Sequence, residues 1–251
     1  MKPIRILEAG EQGLVVEFGD EIDPVVNARV HRLAGTLMAQ MPTRILEVVP
    51  TYRSLMIYFD PAVISWQALQ QRVAELLESP EPAGVNETRR TITIPVCYGG
   101  EFGPDLEFVA RHNGITAQEV IALHSSLPYL VYMLGFMPGF PYLGGLPERI
   151  AAPRLAVPRV KIAAGSVGIA ARQTGIYPVE SPGGWQLIGR TPVTIFRPLA
   201  PSPFLFAAGD YLQFAPISED EYISIREQVD SGTYAPLMTV SARGENRAHS
   251  H

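Results

Sequence analysis

Between Ser125 and Pro147 the chain carries no charged side chain, a run long enough to cross a bilayer. The same run contains Pro128, Pro138, Pro141 and Pro147, with Gly135, Gly139, Gly144 and Gly145 among them. Proline removes a helical donor and its ring clashes with the preceding turn, so no continuous helix can form there. The segment must instead be packed loop and turn structure. Packing it requires a core, which 251 residues with 47% hydrophobic and 18% charged side chains can supply. The formal charge of −5 is dispersed, and the absence of a basic cluster sets aside nucleic acid as a partner.

Lys2 and Lys161 are the two lysines, and arginine supplies the remaining positive charge. Arginine suits bidentate contacts with carboxylate or phosphate, although a codon or lineage bias explains the excess equally well. The single cysteine, Cys97, allows no intrachain disulfide and no cysteine-rich metal site, which points to a reducing cytoplasm. Met1 to Glu8 holds no apolar run of signal-peptide length, so neither export nor membrane insertion is expected.

The first part reads as α+β. Arg5–Ala9, Leu14–Phe18, Ile45–Val49 and Leu55–Phe59 alternate like strands. Asp23-Pro24 opens a helix carrying Val26, Val30, Leu33 and Leu37 at helical spacing, and Ser65 caps another with Leu69, Val73, Leu76 and Leu77. Glu78 to Glu87 is polar and proline-containing, a linker. Beyond it a strand, Thr91–Val96, leads to short helices over Asp105–Arg111 and Ala117–Leu123, parted by Asn113-Gly114. From Tyr129 onward short β segments alternate with Gly and Pro, as in Val167–Ala171, Trp185–Ile188, Val193–Phe196 and Tyr211–Phe214. That texture belongs to a closed or sandwich-like β domain.

Self-sufficient catalytic motifs are missing. Neither lysine follows a glycine as a phosphate-binding loop requires, and no Gly-x-Gly-x-x-Gly run follows a strand. Ala164-Gly165-Ser166-Val167-Gly168 approximates a nucleophile elbow, but its first glycine is absent and later histidines occur only at the end of the chain.

Three stretches are distinctive: Gly135-Phe136-Met137-Pro138-Gly139-Phe140-Pro141-Tyr142-Leu143; Pro153-Arg154 through Pro158-Arg159 to Gln173-Thr174-Gly175-Ile176-Tyr177-Pro178; and Ser181-Pro182-Gly183-Gly184-Trp185-Gln186-Leu187-Ile188-Gly189-Arg190-Thr191-Pro192. With Ile94–Gly100 and Ala208–Phe214 they are similar to the carboxyltransferase C/D-type domain, also called allophanate hydrolase subunit 1. The chain resembles the PxpB/KipI family over about residues 4 to 225. It departs locally at Gly10-Glu11-Gln12, where the family usually shows Gly-Asp.

The resemblance implies an α+β fold: a small ferredoxin-like α+β domain over 1–85, a cyclophilin-like β-barrel over 86–230 and a C-terminal tail over 231–251. It also implies the B subunit of an ATP-dependent 5-oxoprolinase, opening 5-oxo-L-proline to L-glutamate only with PxpC-like and PxpA-like partner subunits. ATP would be held by the complex, not necessarily by this chain, and no metal site is read here. The alternative within the family is a KipI-like inhibitor that binds a sensor histidine kinase. A prolyl isomerase is disfavoured because the cyclophilin signature is missing.

Candidate site residues follow from chemistry. Phe136, Pro138 and Gly139 hold either an open, substrate-facing loop or tight turns under the barrel. Arg154 and Arg159, each after a proline, are placed to grip an anion, or else form surface ion pairs. Arg190 follows Gly189 at a turn and fits the same role. Gln173, Tyr177 and Ser181 offer polar groups for orienting a ligand, while Thr174 reads as a turn cap. Gly183 and Gly184 before Trp185 form either a site wall or an anchored hairpin. His124, at a helix end, is the candidate for proton transfer, with a satisfied packing residue as the alternative.

Overall fold

Alternation makes β1 (Arg5–Glu8) and β2 (Gly13–Glu17) an antiparallel pair. Asp23 then starts α1 (Pro24–Gln40), its carboxylate accepting the N–H groups of Val25 at 2.8 Å and Val26 at 3.1 Å, with Pro24 in the first turn where no donor is lost. Strands β3 (Ile45–Pro50) and β4 (Ser54–Phe59) follow, and Ser65 caps α2 (Trp66–Glu78). The four strands lie in the order β1-β2-β4-β3, every neighbour antiparallel. Leu14, Val16, Leu55 and Ile57 pack against Val30, Leu37, Leu69 and Val73 in a closed core. The connectivity is ββαββα, with the edge strand first, and not the βαββαβ order of a ferredoxin-like fold.

The computed structural model describes residues 3–79 and 88–242, in two compact units, Met1–Asn86 and Glu87–His251. Most of the linker read over Glu78–Glu87 lies outside the described residues. Among the described residues no helix is long and apolar enough to cross a membrane.

In the second unit β5 (Thr88–Tyr98) leads to α3 (Leu106–Asn113), which ends at Gly114 in a left-handed conformation. A Thr116–Glu119 capping box opens α4 (Ala117–Ser125). Next come β6 (Tyr129–Leu134), β7 (Pro141–Gly144), β8 (Arg159–Ile162), β9 (Ser166–Ala170), β10 (Gln173–Ile176), β11 (Ser181–Gly183) and β12 (Gln186–Arg190). The described chain finishes with β13 (Tyr211–Ile217), α5 (Glu219–Asp230) and β14 (Met238–Ala242).

The order β12-β9-β10-β7-β6-β13-β5 closes on itself where Gly189 pairs with Tyr98 and Arg190 with Cys97, making a seven-stranded barrel. Ile92, Ile94, Val96, Val131, Val167, Ile169, Ile176, Ile188 and Leu212 fill it, all at 0% exposure. Each contributes about 1.5–3 kcal/mol of burial. β8 and β11 form a separate two-stranded ribbon.

The uncharged run folds as a hairpin. Leu130 faces Gly144, Val131 faces Leu143 and Leu134 faces Pro141, leaving Gly135–Phe140 as the tip. Pro138 lies in the tip and Pro141 opens β7, where no interior ladder donor is lost, while Pro128 and Pro147 fall outside the two strands. Two expectations need correction. Val193–Phe196 is not a strand: Pro192 and Pro198 flank it, the Thr191 hydroxyl accepts the Val193 N–H at 3.2 Å, and one bridge, Phe196 to Phe204, remains. The tail expected from 231 is structured through Ala242, because β14 pairs with β5 from Met238 to Ala242.

Closure depends on a bulge in β12 between Leu187 and Gly189. The turn Gly99–Asp105 occupies it: Gly99 donates to Ile188 O at 3.1 Å, Asp105 N–H donates to Leu187 O at 2.8 Å, and the Asp105 carboxylate accepts Leu187 N–H at 2.6 Å. Gly103 permits the approach, since a Cβ there would lie 2.0 Å from Ile188 O and 2.7 Å from the Gly189 nitrogen. Gly103→Ala is therefore expected to destabilise the unit by about 3 kcal/mol, a drop of roughly 6–12 °C in Tm. Gly35→Ala in α1, where nothing stands within 4 Å, is expected to be neutral or to stabilise by up to about 1 kcal/mol. Thermal unfolding of the two variants checks the contrast.

Candidate functional site

The hairpin tip feeds an aromatic cluster outside the barrel wall. Phe140 is 2% exposed and meets four rings edge-on: Phe136 at 5.8 Å, Tyr142 at 5.3 Å, Tyr177 at 5.6 Å and Trp185 at 5.5 Å between centroids. Such pairs are worth about 1 kcal/mol each beyond their burial. The cluster also shows why glycine recurs in the motifs. A Cβ on Gly175 would lie 2.9 Å from Phe140 Cζ, and one on Gly183 would lie 2.5 Å from the Tyr177 hydroxyl.

Phe136 is the exposed member, 71% accessible and held at φ +68°, a conformation that bulky residues rarely adopt. With Leu134, Gly135, Met137, Pro138, Gly139 and Phe204 it lines an open depression of about 410 Å³. Gly139, at φ +82°, lies against Phe196 and Phe204. Phe136, Pro138 and Gly139 are thus brought together, and the first two are exposed.

The arginines separate into different states. Arg159 donates to the Asp105 carboxylate at 2.7 Å and to Trp185 O at 3.4 Å, so its charge is already spent on the bulge-filling turn. Arg154 is exposed, and its charge reaches the hydroxyls of both Tyr142 and Tyr177. Burial raises both phenols above their usual range, and the field of Arg154 opposes this at Tyr142. At Tyr177 the Trp185 N–H opposes it first, then the charges of Arg154 and Arg159. Arg190 lies elsewhere, at the barrel seam between Cys97 and Ser166, where its charge acts on Tyr222 of α5.

Tyr177 is buried, and Gly183 and Gly184 sit beside it and beside Pro158. The Ser181 hydroxyl is enclosed with no partner among the described residues. Gln173 is half-buried on β10 opposite Ala170. Among the described residues no group of three His, Cys, Asp or Glu is placed to hold a metal ion.

The proton-transfer expectation for His124 meets a different environment. Its side chain is 0% exposed in the barrel core, stacked on Phe214 at 4.4 Å. Nδ1 lies 2.7 Å from the Tyr98 hydroxyl and Nε2 2.8 Å from Thr174 Oγ1, which itself donates to Gly168 O at 3.1 Å. The network assigns the roles: Tyr98 donates to Nδ1, and Nε2–H donates to Thr174. Burial lowers the imidazole to about pKa 3. His124 therefore ties β5 and β10 together as a neutral ring, and no substrate can touch it. Sequence reasoning missed Asp105, read there only as part of a helix, and Tyr98. Both act on residues far away in the chain.

With this geometry in view, the chain matches the carboxyltransferase domain family, subdomain C and D, over residues 4–206. It is 46% identical over 238 residues to the 5-oxoprolinase B subunit of Bacillus subtilis, covering 89% of this chain and 97% of that protein. To the 5-oxoprolinase B subunit of Escherichia coli O157:H7 it is 42% identical over 222 residues, covering 87% and 99%. The urea amidolyase structure from K. lactis superposes with a TM-score of 0.79 at 26% identity, over 95% of this chain but 16% of that one.

The His124 network carries a pH signature. The unfolded chain binds a proton near pH 6.5, which the folded chain refuses until about pH 3. Stability from this group is full above pH 6.5 and falls as pH drops toward 3. Between pH 7 and pH 5 the protein is expected to lose about 2 kcal/mol more than a His124→Gln variant does. Urea unfolding at the two pH values checks this, and equal losses would contradict a buried neutral imidazole.

Proposed function

The chain belongs to the carboxyltransferase subdomain C and D family, with 5-oxoprolinase B subunits as relatives along nearly their whole length, and on that premise we propose that it is the B subunit of an ATP-dependent 5-oxoprolinase. The observation that carries the reading is the 46% and 42% identity to two proteins of that name at 97% and 99% of their length. The reaction adds the oxygen of water to the ring carbonyl of 5-oxo-L-proline and breaks the ring C–N bond. The nitrogen takes up protons, and L-glutamate results. ATP, converted to ADP and phosphate, would activate the carbonyl within a complex that also contains PxpC-like and PxpA-like subunits. On this reading the barrel is the family's cyclophilin-like one, and the complex works in the cytoplasm.

The residues support a contributing role over a self-contained one. His124 is enclosed, and the Ser166 hydroxyl is buried without a partner among the described residues. Neither can reach a substrate in solution. What the surface offers is recognition: the outward Phe136, the exposed Pro138 and the unneutralised Arg154. We read this rim as half of a site that a second protein of the complex completes.

The test is ring opening by purified proteins. This chain alone, supplied with ATP, magnesium and 5-oxo-L-proline, is expected to release no glutamate. Co-expression with PxpC-like and PxpA-like subunits is expected to restore ATP-dependent release. Turnover by the chain alone, or none by the full assembly, would overturn the reading.

A further inference from the structure

We propose that Arg154 is the carboxylate anchor of the rim, taking the carboxylate of a small cyclic amide acid, and that Arg159 is a positioning residue and not its partner in a bidentate pair. The backbone around Arg154 is fixed on both sides. Gln186 Nε2 donates to Pro153 O at 2.9 Å, and Leu155 N–H donates to Gly184 O at 2.7 Å. Pro153 also restricts the chain entering the position. Such bracing preorganises the backbone that carries the binding group, so the ordering cost on ligand arrival falls on the Arg154 side chain alone.

The charge balance selects the ligand class. Arg159 is paired with Asp105, Lys161 with Glu180 at 2.8 Å, and Arg172 with Glu148. Arg154 has no ion pair or hydrogen bond from its side chain to any described residue, and its charge reaches the Tyr142 and Tyr177 hydroxyls. One uncompensated guanidinium beside an aromatic cluster suits a monoanionic carboxylate on a compact, partly apolar body. A phosphate dianion would call for a second free cation. This assignment rests on the oxoprolinase reading for the identity of the ring, while the carboxylate preference comes from the site's own charge.

The test compares binding of 5-oxo-L-proline with that of pyrrolidin-2-one, the same ring without its carboxylate. Both are titrated calorimetrically into the full chain, alone and in the assembled complex. The protein is expected to bind 5-oxo-L-proline at least about tenfold more tightly than pyrrolidin-2-one, the scale of one charge-assisted contact. Arg154→Gln is expected to abolish that gap and Arg154→Lys to recover part of it. Arg159→Gln is expected to lower Tm while leaving a gap of several-fold. Selectivity unchanged in Arg154→Gln, or no carboxylate preference in either wild-type preparation, overturns the anchor. A complex that keeps the preference yet opens no ring sinks the oxoprolinase reading and leaves the anchor standing. In an active complex, Arg154→Gln is expected to raise KM at least about tenfold with a smaller change in kcat, and an unchanged KM also overturns the anchor.

Discussion

The barrel of the second unit depends on how β12 keeps one neighbour while it joins another. It pairs with β9 from Gln186 to Arg190 across a bulge at Leu187–Gly189, and beyond the bulge its other edge reaches β5 at Gly189 and Arg190. A bulge frees backbone groups that a buried site must satisfy. The Gly99–Asp105 turn takes them, with Asp105 holding both the N–H and the C=O of Leu187. Gly189 is under the same constraint as Gly103: a Cβ on it would lie 2.6 Å from Val96 Cγ1 and 2.8 Å from Cys97 O. Two glycines and one carboxylate therefore decide whether the barrel closes.

The same carboxylate reaches outward. Its second oxygen binds Arg159 at the start of β8, so the seam and the β8–β11 ribbon share one anchor. The ribbon positions Gly183 and Gly184 against Tyr177 and Pro158, and Gly184 O in turn holds Leu155. Polar chemistry is thereby divided in space. Inside the barrel, Tyr98, His124 and Thr174 form a closed chain of donors and acceptors that excludes solvent. Outside it, Phe136 and Arg154 are left without such closure. A motif rich in glycine, proline, aromatics and arginine serves both purposes, which is why its members cannot be given one role in common.

Local signals were legible in the sequence. Asp23, Ser65 and Thr116 cap helices through contacts two or three residues away, and the apolar periodicity of α1 and α2 matches their buried faces. The chemistry of the rim was legible only as a set of residue types. Arg154 and Arg159 look alike in sequence, and the carboxylate that separates them lies 54 positions from Arg159. His124 sits at the end of a short helix with nothing nearby to show that it is core. Its partners are 26 and 50 residues away. The uncharged run was legible as non-helical, but its strands were hidden because both faces are apolar. A period-2 pattern needs one wet face to be visible.

On the proposed function, this chain presents a recognition surface which another protein of the complex completes. Hydroxyl-radical footprinting with mass-spectrometric readout tests it most directly, comparing Phe136 in the isolated chain and in the assembled complex. An aromatic ring 71% exposed is readily oxidised, and Tyr129, 1% exposed in the barrel core, serves as the internal reference. Assembly is expected to slow oxidation of Phe136 several-fold relative to Tyr129. An unchanged ratio in a complex shown to be intact would contradict the claim.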